Sequence, residues 1–414
     1  MTTGLRAGAA RANITPPVGC YLAGYGDPQT VRPAVTHDDR IAYPGPRTQP
    51  STGINDDLYA KVLVLDDGAT QMALVTLDLI GMDEDLVAQV RAAIQRATDI
   101  PAGSVLVAAS HTHAGPFTAG MAADPDYLGQ LRKKIAGAAS VATRTMTPAT
   151  LRFGWGEAGI GINRRVVTPE GAFMRPNPAG PVDRRVGVLR VDTVEGHPLA
   201  VLVHYTCHPN VFRHENLQIS ADYVGAVLGL VEQVYAGSTA LFLQGCCGNI
   251  RPNLVGDDGD FRSGSEADRQ RLGRILGAAA IKAAEEATPT SLARLSVSTR
   301  RILLPVAEGH QDKAQGRAAV EAEMQGMALG PLLIVTIPGE PFVEIGQRIR
   351  QTVGDPVLVA GYANGDLGYL PTAQAYTEGG YEVAESPFAP QAEDLLVATA
   401  MGLAQELRRT SPWR

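Results

Sequence analysis

Cysteine is scarce in this chain. Four thiols (Cys20, Cys207, Cys246, Cys247) in 414 residues do not make a disulfide framework, and the adjacent Cys246 and Cys247 could hardly bridge each other without strain. Reduced thiols are therefore expected. Aromatic residues make up only 5%, which gives no sign of a lipid-docking surface. There is no basic run, and the formal net charge is -7, which argues against a nucleic-acid partner. No apolar stretch approaches the length of a membrane span, so no membrane anchor is expected. The first residues, Met1 to Gly8, lack a basic segment followed by an apolar one, so no signal peptide is read there. The expectation from these absences is a cytoplasmic protein.

What is present is 45% hydrophobic residues, 45 glycines and 28 prolines. That is enough apolar material for a large core, threaded by many turns and shaped loops. Leu58 to Asp67 and Gln71 to Asp78 read as a hairpin across Asp66-Asp-Gly68. Glu84 to Thr98 has helical spacing, with Leu86, Val87, Val90 and Ile94 on one side. The apolar run Val105 to Ala109 follows as a strand. Further helices are read at 127–143, 222–235, 265–288, 314–324, 343–353 and 390–408. Strands are read at 149–156, 186–191, 199–205, 239–244, 332–340 and from 357. Residues 26–54 and 166–182 read as loops. The order predicts an α/β fold, a mixed β-sheet core covered by helices, with one domain over 1–414 and the active site at strand ends.

Chemistry-bearing side chains collect at those ends: Asp78, His111 and His113, His204 and His208, the run Gln244 to Asn253, Glu340, and Tyr362 with Asn364. Ligands of α/β sheets bind outside strand ends. His111 and His113, two apart on an extended segment, would face one space. Histidines with an acid suit a catalytic zinc site, which keeps one position for water. Imidazole and carboxylate also suit other first-row ions. His37, His197, His214 and His310 lie in polar stretches and read as solvated. Ser110 and Ser220 lack a Gly-x-Ser-x-Gly setting, and no glycine-rich phosphate loop is present. Asp78 and Asp222 suit either orientation of ligand histidines or capping.

Taken in order, several segments resemble the neutral ceramidase family, over nearly the whole chain. They are Ala7-Gly-Ala-Ala-Arg-Ala-Asn-Ile-Thr-Pro16, Ser110-His-Thr-His-Ala-Gly-Pro116, Gly161-Ile-Asn163-Arg164, Val203-His204-Tyr-Thr206, Ile219-Ser-Ala-Asp222, Gln244 to Asn253, Pro338-Gly-Glu340 and Tyr362 to Thr372. The resemblance implies a zinc amidohydrolase. It makes His111, His204, Glu340 and Tyr369 the metal ligands. It places His113 and Arg164, helped by Tyr369, at the scissile carbonyl as oxyanion stabilisers. Glu340 or an acid behind it would move the proton from water to the leaving amine. Tyr376 and Tyr381 fall where the family has further active-site tyrosines. Arg251 and Asn253 fall in a substrate-facing run.

Two departures from the family pattern shape the expected substrate. Where the family carries a serine once proposed as nucleophile, this chain has Arg251. That excludes a serine nucleophile at the position and suits an anionic or strongly polar substrate group. The chain ends at Arg414, so the family's C-terminal immunoglobulin-like domain is expected to be missing. The expected reaction is hydrolysis of a small or medium amide by metal-activated water. The alternatives are an esterase or lactonase with the same metal site, ceramide hydrolysis proper, and a non-catalytic binding protein on the same scaffold. A homo-oligomer stays open.

Overall fold

A computed structural model describes residues 4–25, 49–120, 123–290 and 294–410. Most of the loop expected over 26–54, and His37 with it, lies outside the described residues. At its end, Gly53–Ile54 forms a short strand against Gln218–Ile219.

Nine strands form one mixed sheet. The order across it is Thr239–Gln244, Pro198–Tyr205, Arg185–Thr193, Thr147–Glu157, Arg6–Asn13, Tyr59–Asp66, Gln71–Leu77 and Val105–Ala109, and Thr288–Pro289 pairs beside Thr147–Glu157. The expected hairpin is there, with Asp66 paired to Gln71. A second sheet of four strands, Leu295–Pro305, Ala319–Leu329, Leu332–Thr336 and Val357–Ala360, stacks on the first. One apolar cluster joins them. Leu63, Leu74, Leu106, Leu202 and Leu243 from the first sheet pack with Met327, Leu329, Ile334 and Leu358 from the second. Helices cover the outer faces: Glu84–Thr98, Pro125–Arg144, Asp222–Val234 and Glu266–Glu285 over the large sheet, Val343–Val353 and Ala392–Thr410 over the small one. The result is four layers, helix on sheet on sheet on helix. No described helix is long and apolar enough to cross a membrane.

Local sequence explains most of these elements. The helix Glu84–Thr98 starts where the Asp83 side chain accepts the Leu86 N–H at 2.8 Å, and stops where Asp99 turns left-handed at φ 65°. Leu86, Val87, Val90 and Ile94 are buried under it, as the spacing requires. Asp83→Ala is expected to cost about 1 kcal/mol of stability, measurable by urea unfolding.

Two stretches differ from the reading of the sequence. Ala319–Leu329, read in part as helix over 314–324, is a strand running antiparallel to Leu295–Pro305 for eleven residue pairs. Ala, Glu, Met and Gln favour helix intrinsically, but Val320, Ala322 and Met324 alternate with Glu321 and Glu323, and only the first set is buried enough to join the core. The stretch 166–182, read as a loop, contains half of the hairpin Gly161–Thr168 with Gly171–Asn177.

Candidate active site

Val105–Ala109, Pro198–Tyr205 and Thr239–Gln244 of the large sheet and Val357–Ala360 of the small one end at one place. Their C-terminal ends are tied by the Gln244 amide, which donates to the carbonyls of Ser110 (2.9 Å) and Cys207 (3.0 Å). Gly361 N–H donates to the Gln244 carbonyl (3.1 Å), and Ala109 N–H donates to the Tyr362 carbonyl (2.9 Å). These bonds stitch the seam between the sheets and project the residues just beyond each strand into a common space.

His111 is one of them. The strand stops at Ala109, and His111 has φ 69°, so it does not follow the extended alternation expected from the sequence. The left-handed turn nevertheless brings its ring to 5.0 Å from that of His113, centroid to centroid. His208 joins from the segment after Tyr205, its ring 4.9 Å from His111 and 5.6 Å from His113. One nitrogen from each of the three buried histidines lies within 4.8 Å of the others. Glu340 completes the group: its Oε2 is 3.4 Å from His111 Nε2 and 3.2 Å from His208 Nε2.

The other ring nitrogens explain this arrangement. His111 Nδ1 is 2.6 Å from the Ile80 carbonyl, and His208 Nδ1 is 2.6 Å from the Cys247 carbonyl and 3.0 Å from that of Ile250. A carbonyl only accepts, so both Nδ1 atoms carry a proton and each ring turns its Nε2 to Glu340. Burial pushes the His111 pKa down, but the Glu340 carboxylate outweighs it and raises it, so a proton or a cation satisfies that contact, while the neutral His208 ring leaves a lone pair facing the carboxylate oxygen. His208 Nε2 has no hydrogen-bond partner among the described residues. Two donors sharing one tetrahedral ion of zinc's bond lengths sit about 3.3 Å apart. The observed separations and the donor chemistry therefore fit a divalent metal, and the backbone carbonyls supply the orienting hydrogen bonds such a site uses. Burial pushes the Glu340 carboxyl up, but the two histidines outweigh it and hold the group well below the usual carboxylate range. Burial, reinforced by the Arg164 charge, pushes His208 down to about 4, so it is neutral near pH 7.

His204, expected as a ligand, is elsewhere. Within Pro198–Tyr205 it follows the alternation of Ala200 and Leu202, which face the second sheet, while Val203 and Tyr205 face the helices. Its ring is caught between the sheets, with Nε2 3.0 Å from the Val359 carbonyl and Nδ1 without a partner among the described residues. The residue that reaches the cluster lies four positions later, beyond the strand end. Burial pushes His204 down to about 4. A buried neutral histidine stabilises the fold above its unfolded pKa of about 6.5 and loses that contribution as pH falls toward its folded value. Stability is therefore expected to drop by a few kcal/mol between about pH 6.5 and 4. His204→Gln, which keeps a donor for Val359, should flatten that slope in urea titrations at stepped pH.

Around the cluster, Glu340 pairs with Tyr369 across two short parallel strands. The Tyr369 hydroxyl accepts from Arg164 Nη2 at 3.0 Å. Arg164 is fixed from behind by Glu382, whose Oε1 accepts from Nε at 2.7 Å and whose Oε2 accepts from Arg165 at 2.8 Å. Tyr362 stacks on His111 (centroids 4.1 Å), and its hydroxyl lies 3.4 Å from Glu340 Oε2 and 3.1 Å from Cys247 Sγ. Burial pushes the Cys247 thiol well up, which keeps it a neutral hydrogen-bonding group. Cys246 packs instead into the core under the small sheet. Glu382 carries no motif of its own; only its nearness in sequence to Tyr369 hints at a role.

The remaining expected residues spread out. Tyr381 meets Tyr369 edge-on at 5.6 Å, while the Tyr376 hydroxyl lies 3.1 Å from Ser386 Oγ, in packing among the short helices. Asn253 is exposed, and its N–H donates to the Ile160 carbonyl. Asp78 accepts the Tyr59 N–H at 2.9 Å, and Asp222 accepts the N–H groups of Tyr223 and Phe212. Both acids thus serve the backbone, and carbonyls do the orienting of His111 and His208. His310, read as solvated, has its Nδ1 2.8 Å from the Ser386 carbonyl.

Gly24 presses on the site from outside. It has φ 94°, and a Cβ there would overlap the His113 ring. Gly24→Ala is expected to displace that ring and cost about 1–3 kcal/mol of stability, seen as a lower Tm together with lost imidazole–imidazole contacts in NMR spectra.

The family described as neutral/alkaline non-lysosomal ceramidase, N-terminal, matches residues 43–272, more than half of the chain, and the chain belongs to it. A neutral ceramidase of Mycobacterium tuberculosis is 31% identical over 96 residues, 22% of this chain and 15% of that protein. The aligned stretch is thus a small part of that relative's length. The crystal structure of neutral ceramidase from Pseudomonas aeruginosa superposes with a TM-score of 0.79 at 18% identity, covering 100% of this chain and 76% of that one. A structure titled ceramidase complexed with C2 gives 0.76 at 17% identity with the same coverage. These likenesses establish the α/β fold read from the sequence.

Proposed function

We propose that this protein is a metal-dependent hydrolase that cleaves a C–N amide bond, with zinc as the ion. The observation that carries the reading is the convergence of the His111 and His208 Nε2 atoms on Glu340 Oε2, beside Arg164 and Tyr369. His111, His208 and Glu340 would hold the metal, with Tyr369 alongside. A bound divalent ion there supplies Lewis acidity and lowers the pKa of a water molecule toward neutrality.

The chain's own groups do the rest. Arg164 donates to the Tyr369 oxygen, which leaves the tyrosine's hydrogen free to point at a substrate carbonyl. Tyr369 O–H and the Arg164 guanidinium are thus placed to stabilise charge developing on that oxygen. Glu340 is held too acidic to accept a proton near neutrality. The His113 imidazole, its ring 5.0 Å from that of His111, is the group we assign to carry a proton from the attacking water to the leaving nitrogen. The family name points to N-acylated amines as the substrate class.

The test is elemental analysis of the purified protein, with matched amide and ester substrates assayed before and after chelation. About one metal per chain and chelator-sensitive amide cleavage are expected. A protein that takes up no metal when zinc is supplied, and cleaves neither bond, would overturn the reading.

A further inference from the structure

Arg251 is a buried cation with no counter-charge among the described residues. It is only 6% exposed. Its side chain makes no hydrogen bond or ion pair among the described residues, and its Nε is buried without a partner. Its one contact of note is the Phe261 ring, 4.2 Å from the guanidinium carbon. The Tyr25 phenol and the Cys207 thiol favour its charge, Arg164 and Arg213 oppose it, and none of the four is a carboxylate. By contrast Arg164 and Arg165 share Glu382, and buried Arg91 reaches Glu323 at 2.6 Å.

Its position faces the site. The short strand Ile250–Pro252 runs antiparallel to Gly161–Thr168, with Ile250 opposite Asn163 and Arg251 opposite Ile162. Arg164 N–H donates to the Asn249 carbonyl at 2.9 Å, so Arg251 and Arg164 are diagonal neighbours on one face of the ribbon. Arg164 projects from that face to Tyr369, beside Glu340. The residue before Arg251 supplies a carbonyl to His208 Nδ1.

Burying a guanidinium without an anion is costly, and an aromatic face offsets only part of that cost. We propose that the substrate brings the anion: the amide cleaved here carries a carboxylate near the scissile bond, and Arg251 binds it. One planar guanidinium with an open edge matches one carboxylate in a bidentate pair. This inference rests on the amide-hydrolase reading for the bond cleaved, but the recognition it assigns to Arg251 is testable without turnover.

The probes are N-octanoyl-leucine and N-octanoyl-leucinamide, which differ only in the carboxylate. Calorimetric binding and hydrolysis are measured for both on the metal-loaded wild type, Arg251→Met and Arg251→Lys. Any carboxylate contact to the metal is common to the three proteins and cancels. The wild type is expected to favour the acid by about thirtyfold or more. Arg251→Met should abolish that preference, and Arg251→Lys should retain part of it. Arg251→Met should also unfold at the same or a higher temperature, since it removes an unpaired buried charge; if it fails to fold, Arg251→Lys carries the comparison. Preferential binding of the acid, lost with Arg251 but with no amide turned over, would uphold the recognition and sink the hydrolase reading. Equal binding of acid and carboxamide by the wild type, or a preference untouched by both variants, would overturn it whatever is hydrolysed. So would preferred turnover of a neutral N-acylsphingosine, which would leave Arg251 a structural partner of Phe261.

Discussion

His208→Ala is expected to strip the protein of its metal, while His204→Gln leaves metal content unchanged. Both histidines are buried and belong to one five-residue stretch, so the contrast isolates geometry from burial and composition. His208 offers Nε2 to the space shared with His111 and Glu340, and two carbonyls fix its proton on the far nitrogen. Outer-shell partners of such ligands already change affinity by 10–100-fold, so removing the ligand itself should lower it by more than about 100-fold. His204 is held against the Val359 carbonyl inside the sheet-to-sheet interface and offers nothing to that space. Elemental analysis after dialysis against a weak chelator, beside a competition titration with a zinc-binding dye, measures both. Retention of metal by His208→Ala with loss in His204→Gln would reverse the assignment.

Arg164→Met is expected to lower kcat for amide cleavage by about 100- to 1,000-fold, the range for loss of an oxyanion donor, with a smaller change in KM. Arg164 is buried, locked by Glu382 and Tyr369, and already oriented before substrate arrives. Arg164→Lys should rescue little. An ammonium cannot hold Glu382 through one nitrogen and Tyr369 through another in the same plane. Glu382→Gln keeps an acceptor for one arginine but removes the charge shared by Arg164 and Arg165. It should lower kcat less than Arg164→Met while lowering Tm more. Steady-state kinetics on one amide, with thermal unfolding of each variant, separates the two roles. Equal kcat in wild type and Arg164→Met would remove Arg164 from the reaction.

Much of this was legible in the sequence where local chemistry decides the structure. The hairpin at Asp66-Asp-Gly68, the capped helix after Asp83 and the all-apolar strand Val105–Ala109 are set by residues within a few positions of one another. That His111, His113, Glu340, Tyr369 and Arg164 come together in one place was also readable, because each sits in a short motif. His204 misled because a histidine inside an apolar run looks like a strand end. Only the count of alternating positions across two sheets shows that it faces the core. The second sheet was half hidden for a related reason. Helix-favouring Ala, Glu and Met fill Ala319–Leu329, and pairing with Leu295–Pro305 overrides that preference. Glu382 and the carbonyls of Ile80, Cys247 and Ile250 could not be read at all, since what they orient lies far away in the chain.

The seam stitched by Gln244 has a consequence for how the site comes into being. The histidines leave the large sheet, built from the first part of the chain. Glu340, Tyr362 and Tyr369 leave the small sheet, built some hundred residues later. Neither sheet alone presents a complete donor set, so metal uptake during refolding should lag behind the appearance of secondary structure and coincide with docking of one sheet on the other. Metal uptake, followed through a zinc-binding dye, would then report that the last long-range step of assembly is complete.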